Sequence, residues 1–143
     1  LVVENPDSLV LDTHVWLWLM EGAPSLRGSL VDAIEKAASS AGLFLSAISV
    51  WEIAVLQAVG RVTFSVPASD WLGEALCTPG LQVVGIDETI ALEGVGLPGE
   101  FPGDQPDRII TATARVRQAG LVTADTRLIR YGEAGHVRVV PVD

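Results

Sequence analysis

With 143 residues, 49% of them apolar, and a mean hydropathy of +0.41, the chain can bury one core without metal or disulfide staples, and disorder is excluded. Its single cysteine, Cys77, excludes an intramolecular disulfide and any cysteine-built zinc cluster, and suits a reducing cytoplasm. Eighteen acidic against nine basic residues give a net charge of −9. That excludes the basic face needed for sequence-independent wrapping of nucleic acid. It leaves room for a nuclease whose clustered carboxylates are neutralised by divalent cations, and for a partner with a basic segment.

No apolar run approaches the roughly 20 residues of a membrane span. The stretch 9–20 comes nearest, and Asp12 and His14 interrupt it. The start, Leu1-Val2-Val3-Glu4-Asn5-Pro6, lacks the basic leader of a secretory signal. Its first residue is not Met, which leaves a start inside a longer reading frame or a processed terminus open. The chain, 1–143, reads as one domain.

In chain order, residues 8–12 form a buried strand, followed by a helix over 13–20 that Gly22-Ala23-Pro24 breaks. Ser25 caps a second helix, with Leu26, Leu30, Ile34 and Ala37 at helical spacing. Residues 43–46 make a short strand and 48–59 a third helix, closed by Gly60. After an extended connector at 61–64, Pro67 opens a helix over 68–76, and Pro79-Gly80 turns the chain into the strand 81–84. Asp87-Glu88 starts another helix. The glycine- and proline-rich segment 94–106 is the longest irregular stretch, and loops of that length in compact domains tend to carry function or motion. The clearest helix runs from Pro106-Asp107 to Gln118-Ala119-Gly120, with proline in its first turn and glycine past its end. A strand at 121–123, a helical turn at 125–130 and a last strand over 137–140 complete the chain. Strands alternate with helices throughout, so the fold class is α/β with a mainly parallel sheet.

Asp12 and Asp125 each follow an apolar run and precede a helix. In an open parallel sheet this is where chemistry gathers, and it is also where a plain helix cap sits. Glu52 falls in the third helix on a face with Ile48, Trp51, Val55 and Val59, while Val50, Ile53 and Leu56 make the other side apolar too. The helix is therefore expected to be buried nearly all round, with Trp51 in the core. A carboxylate there must be paired, protonated or cation-bound, and Arg61 or Arg108 are the candidate ion-pair partners. Asp107 lies in a helix's first turn, where a negative charge contributes about 0.3–1 kcal/mol. That explains Asp104 well, and Asp107 less well, because Ile110 and Ala114 follow it on the buried side. Carboxylate and water ligands suit Mg2+ or Mn2+. Two such ions about 3.5–4 Å apart would clamp the attacking and leaving oxygens of a phosphodiester displacement.

Four blocks, in order, carry a family resemblance: Leu9-Val10-Leu11-Asp12-Thr13-His14-Val15, Ser46-Ala47-Ile48-Ser49-Val50-Trp51-Glu52-Ile53-Ala54, Asp104-Gln105-Pro106-Asp107-Arg108-Ile109-Ile110-Thr111-Ala112-Thr113-Ala114, and Leu121-Val122-Thr123-Ala124-Asp125. The sequence resembles PIN-domain ribonucleases, specifically VapC-type toxins of type II toxin–antitoxin pairs. The resemblance implies a three-layer α/β/α sandwich and a Mg2+-dependent cytoplasmic endoribonuclease. RNA phosphodiesters would be hydrolysed by metal-activated water held by an acidic quartet that maps onto Asp12, Glu52, Asp107 and Asp125. Thr13, Thr123, Asp104 and Arg108 would assist the site or its substrate. It further implies a homodimer and a cognate antitoxin that inserts a segment, often with a basic side chain, into the acidic groove. Two departures remove positive charge near that groove: Pro102-Gly103 stands where many relatives carry His-Arg, and Leu56-Gln57 where a lysine is common.

The alternatives within the family are a stand-alone RNA-processing nuclease and a PIN-like binding module that has lost catalysis. Outside it, a phosphatase of the haloacid dehalogenase type wants a second aspartate where this chain has His14. A receiver domain wants an acidic pair and a late lysine, and the only lysine is Lys36. His14 has an ordinary packing role as its leading reading, and His136 reads as surface. Trp16 and Trp18, two apart on one helix, cannot face the same way, which leaves one of them for a dimer interface. Arg108, Arg115, Arg127 and Arg130 are candidates for phosphate contacts, and surface solvation explains each equally well.

Overall fold

A computed structural model describes residues 7–142; the N-terminal stretch read for a leader lies outside them. Three-residue β1 (Leu9–Leu11) runs into α1 (Thr13–Glu21), and α2 (Gly28–Ser39) leads to β2 (Leu43–Ser46) and directly into α3 (Ala47–Ala58). Then come α4 (Ala68–Ala75), β3 (Leu81–Val84), α5 (Glu88–Val95), α6 (Gln105–Arg117), β4 (Gly120–Thr123), α7 (Thr126–Glu133) and β5 (Val139–Pro141). The strands form one parallel sheet in the order β3-β2-β1-β4-β5. From β1 the chain winds outward to β3, then crosses back to β4 on the other side of β1. The strand order reverses between β1 and β4, and in open α/β sheets ligands gather beyond the strand ends at such a switch point.

The central strands β2, β1 and β4 are buried along their whole length because both sheet faces are covered there. Successive side chains alternate between two cores. Leu9, Leu11, Leu43, Leu45 and Val122 join Trp16, Ile34, Ala37 and Ile53 on one face. Val10, Phe44 and Leu121 join Ile90, Ile110, Ala112 and Leu128 on the other. Helices thus cover the sheet on both sides, and each fully buried Leu or Ile contributes about 1.5–3 kcal/mol. Trp16 is wholly buried, and its indole meets Trp71 edge-on at 5.5 Å, while Trp71 stacks on Phe64 at 4.4 Å. The segment read as an extended connector therefore anchors the first core.

The structure moves several boundaries, among them the last strand, which starts at Val139 and not at 137. The second helix starts at Gly28, not after Ser25, because Leu26 N–H donates to Ala23 O and closes a turn across Ser25. The helix over 105–117 ends on Gln118, which takes the left-handed conformation (φ 53°) expected of a glycine. Gly120 is already the first residue of β4, where it lets Val140 and Arg138 pack within 3.3 Å of the position a Cβ would take. Finally, α7 continues three residues beyond the expected end to Glu133. Among the described residues, no helix is long and apolar enough to cross a membrane.

Candidate active site

Asp12 leaves β1 beside β4, its N–H bonded to Val122 O at 2.9 Å. Its carboxylate does two jobs. Oδ1 accepts from Thr13 N–H at 2.9 Å and caps α1, while Oδ2 accepts from the buried Thr123 hydroxyl at 2.7 Å. A carboxylate offers about four lone-pair positions, so roughly two remain for a ligand. The side chain is held still and is not used up.

Ser46 caps α3 and sets its direction out of β2. Glu52 then meets α1 through Thr13, whose hydroxyl donates to Glu52 Oε1 at 2.6 Å. Thr13 has one proton, and Glu52 takes it. The 2.8 Å contact between Thr13 and Ser49 is therefore a bond donated by Ser49. Ser49 is fully buried and lies one turn before Glu52, so these two and Ile53 form the inward stripe of α3. Here the sequence reading of α3 fails. Trp51 is 57% exposed, and Val55 and Val59 are exposed with it, because the helix turns its polar Ser49–Glu52 edge towards Thr13 and its heavier apolar edge outwards. The ion pair considered for Glu52 does not form either. Among the described residues no salt bridge reaches it. Arg108 turns away to Gly94 O (3.0 Å) and lies over the Phe101 ring, so it is not one of the residues lining the site.

Asp104 and Asp107 cap α6 reciprocally. Asp107 N–H donates to Asp104 Oδ1 at 3.1 Å, and Asp104 N–H to Asp107 Oδ2 at 3.2 Å. Gly103 closes over this pair: a Cβ there would lie 2.6 Å from Asp107 Cβ and 2.7 Å from its Oδ2. Asp125 caps α7 by accepting from Arg127 N–H at 2.9 Å, and the Arg127 side chain grips the same carboxylate at 3.2 and 2.8 Å. Its guanidinium also bonds Pro102 O and stands 3.6 Å from Asp107 Oδ2. The loop over 96–104 is therefore pinned at its end by Arg127, and at Pro98 by the Tyr131 hydroxyl.

These elements enclose a cleft of about 330 Å3 lined by Asp12, Thr13, Glu52, Asp104, Asp107 and Asp125, with Arg127, His14 and Trp18 at its side. The electrostatics divide the carboxylates. Burial raises the Asp12 carboxyl above its ordinary value, and the Thr123 and Thr13 bonds only partly offset this. Burial, with the charges of Asp12 and Asp104, raises Glu52. Burial, with the charges of Asp104 and Asp12, pushes Asp107 up to about 7. Asp125 alone is lowered, by the Arg127 hydrogen bond. Hard oxygen donors crowded against one another suit a small divalent cation. The donor set fits such an ion. As placed, though, no three acidic or histidine side chains among the described residues are drawn together closely enough to hold one.

A family model described as PIN domain matches residues 9–134. The chain belongs to the PIN-domain family. Ribonuclease VapC22 of Mycobacterium tuberculosis is 36% identical over 121 residues, which is 85% of this chain and 89% of that relative. Two solved structures show the same fold. VapBC2 from Rickettsia felis, bound to a DNA fragment of its promoter, superposes with a TM-score of 0.69 at 17% identity, covering 94% of this chain and 98% of that one. A toxin–antitoxin complex from Klebsiella pneumoniae gives 0.63 at 24% identity, covering 95% and 98%. The parallel sheet between two helical layers is thus the PIN-like α/β/α sandwich anticipated from the four sequence blocks.

This PIN domain brings Asp12, Glu52, Asp107 and Asp125 to one cleft, with Thr13 and Asp104 among them and Thr123 buried behind Asp12. Of the four arginines considered for phosphate contacts, Arg127 alone lines it. Arg115 is engaged by Glu93 on the far side of α6. His14 is exposed on the rim of the cleft and does not pack into a core. Trp18, half-buried, lines the cleft beside it, and Trp16 lies in the core. Sequence reasoning missed Ser49 and Gly103. A serine one turn before Glu52 was the available signal for the first. The second had none beyond its place beside Asp104.

Proposed function

We propose that the protein is a divalent-metal-dependent endoribonuclease of VapC type, the toxin of a type II toxin–antitoxin pair acting in the cytoplasm. The observation that carries this reading is the joining of Asp12 on the β1 end to Glu52 on α3 through Thr13, in one cleft with Asp107 and Asp125 at the switch point. The likeness to ribonuclease VapC22 supports the substrate class, RNA. The likeness to VapBC complexes supports an antitoxin partner.

Asp12, Glu52 and Asp107 would hold a Mg2+ or Mn2+ ion, with Asp125, gripped by Arg127, bordering the site. Such an ion lowers the pKa of a water it carries and neutralises charge that develops on a phosphate. The chain's own part is to fix the donors. Thr123 and Thr13 orient Asp12 and Glu52, the Asp104 N–H orients Asp107, and all three carboxylates keep acceptor positions free. Among the described residues no serine or cysteine lines the cleft, and His14 stands at its rim, so displacement by water is the chemistry that its lining residues favour. Apolar side chains left exposed on and just past α3 (Trp51, Val55, Val59) and on α5 (Leu92, Val95) offer surface to an antitoxin and to a second copy of the chain.

The test is RNA cleavage by Asp12→Asn and Glu52→Gln proteins whose circular dichroism matches the parent. Both should lose at least about 100-fold in rate, the scale of a catalytic group removed; full activity in either would overturn the assignment.

A further inference from the structure

Within that cleft the carboxylates are unequally free. Asp12 has one acceptor bond on each oxygen, and Glu52 Oε1 accepts one from Thr13. Asp125 is different. Oδ1 accepts from both the backbone N–H and Nε of Arg127, and Oδ2 from Nη2 of the same residue, so about three of its four lone-pair positions are taken. A carboxylate held this way has little left with which to share a metal ion.

The guanidinium is placed by more than its bond to Asp125. Nη1 donates to Pro102 O at 3.2 Å, and Nη2 stands 3.6 Å from Asp107 Oδ2. The Arg127 side chain is 54% exposed, so water reaches it and its placement rests on its partners. Here the planar fork is fixed on Asp125, the chain's loop and the approach to Asp107 together. Among the described residues it is also the only arginine or lysine lining a cleft that carries Asp12, Glu52, Asp104, Asp107 and Asp125.

We propose that the Arg127 guanidinium serves as the second cation of this site, bridging Asp125 and Asp107, so that the cleft takes a single divalent ion on the Asp12–Glu52–Asp107 side. The inference rests on the metal-dependent reading above and fixes how many ions that reading needs. A paired-ion site places its two charges about 3.5–4 Å apart with carboxylates shared between them. In this chain a fixed monovalent group spans the two carboxylates that would be shared. Arg127 is a positioning residue in this scheme, holding Asp125 and Asp107 apart at a set spacing.

The experiment is Mn2+ binding by isothermal titration and by the loss of the free-ion electron paramagnetic resonance signal, on wild type, Arg127→Ala and Arg127→Lys. Circular dichroism confirms the fold, and Glu52→Gln is the metal-site control. The wild type should bind one Mn2+ per chain. Arg127→Ala should bind two. Arg127→Lys, which keeps the charge, should return to one. Glu52→Gln should bind roughly tenfold more weakly or worse, the scale of a lost ligand contact. Two ions on the wild type, or one ion on Arg127→Ala at any affinity, would overturn the inference and leave the metal-dependent reading standing. No binding by the wild type or by Arg127→Ala would overturn both.

Discussion

Replacing Asp107 by asparagine should stabilise the metal-free protein while disabling it, with an effect that grows with pH. Asp107 is mostly covered by Gly103 and the start of α6, and burial with the charges of Asp104 and Asp12 pushes its carboxyl to about 7 from an ordinary 3.8. A folded state with the higher pKa holds its proton more tightly than the unfolded chain. The contribution of this group to stability is therefore greatest below pH 3.8, falls as pH rises, and stops falling above about pH 7. At about 1.36 kcal/mol per pH unit the gap sets a ceiling of about 4 kcal/mol. Water in the open cleft screens part of the repulsion, so about 2 kcal/mol is the expected penalty on the ionised form. The asparagine side chain keeps an oxygen for the Asp104 N–H and carries no charge. Urea unfolding in EDTA should find Asp107→Asn more stable by about 1 kcal/mol at roughly pH 5 and about 2 kcal/mol at roughly pH 8. Mn2+ at about 100 times its dissociation constant should add about 2.7 kcal/mol to the wild type and much less to the variant. An advantage that does not change with pH, or a variant less stable than the parent under the alkaline condition, would refute the reasoning.

Thr123→Val removes the hydroxyl that donates to Asp12 Oδ2 and accepts from Asp125 N–H, both within a buried strand end. Bonds to charged groups contribute about 1.5–3 kcal/mol, so a loss of about 2–3 kcal/mol in urea unfolding is expected, and a loss below about 0.5 kcal/mol (the scatter of neutral surface changes) would contradict the role assigned to Thr123. Gly103→Ala sets a methyl 2.6 Å from Asp107 Cβ, which must shift. Misplacing a ligand by about 1 Å costs on the order of 100-fold in rate, so RNA cleavage should fall by that factor while circular dichroism stays unchanged. Ser49→Ala removes the bond donated to Thr13 and should cost about 1 kcal/mol by the same unfolding assay.

The architecture was legible wherever one periodicity ruled. The strands at 43–46 and 81–84 match the sequence reading residue for residue, because four-residue runs flanked by Gly, Ser and Pro are too short for a helix. The convergence of Asp12, Glu52, Asp107 and Asp125 on one cleft was legible as two strand-end aspartates, a helix-start aspartate and a glutamate on an apolar helix. The facing of α3 was not, since apolar side chains surround Glu52 on every side and periodicity then carries no direction. The buried stripe was chosen by Ser49 and Glu52 seeking Thr13, a contact 36 to 39 residues away in sequence. Arg127 was visible only as one arginine among four. What singles it out is Asp125 two residues earlier and the loop carbonyl at Pro102, and the loop's path cannot be read from its glycines and prolines.

The most direct test of the account is cleavage of 5′-labelled RNA by the purified chain across a Mg2+ titration, with the product ends identified. Water displacement held by the Asp12–Glu52–Asp107–Asp125 cleft predicts cleavage that rises with Mg2+, stops in EDTA, and leaves 5′-phosphate and 3′-hydroxyl ends. Cleavage that persists in EDTA, or that leaves 2′,3′-cyclic phosphate, would contradict it.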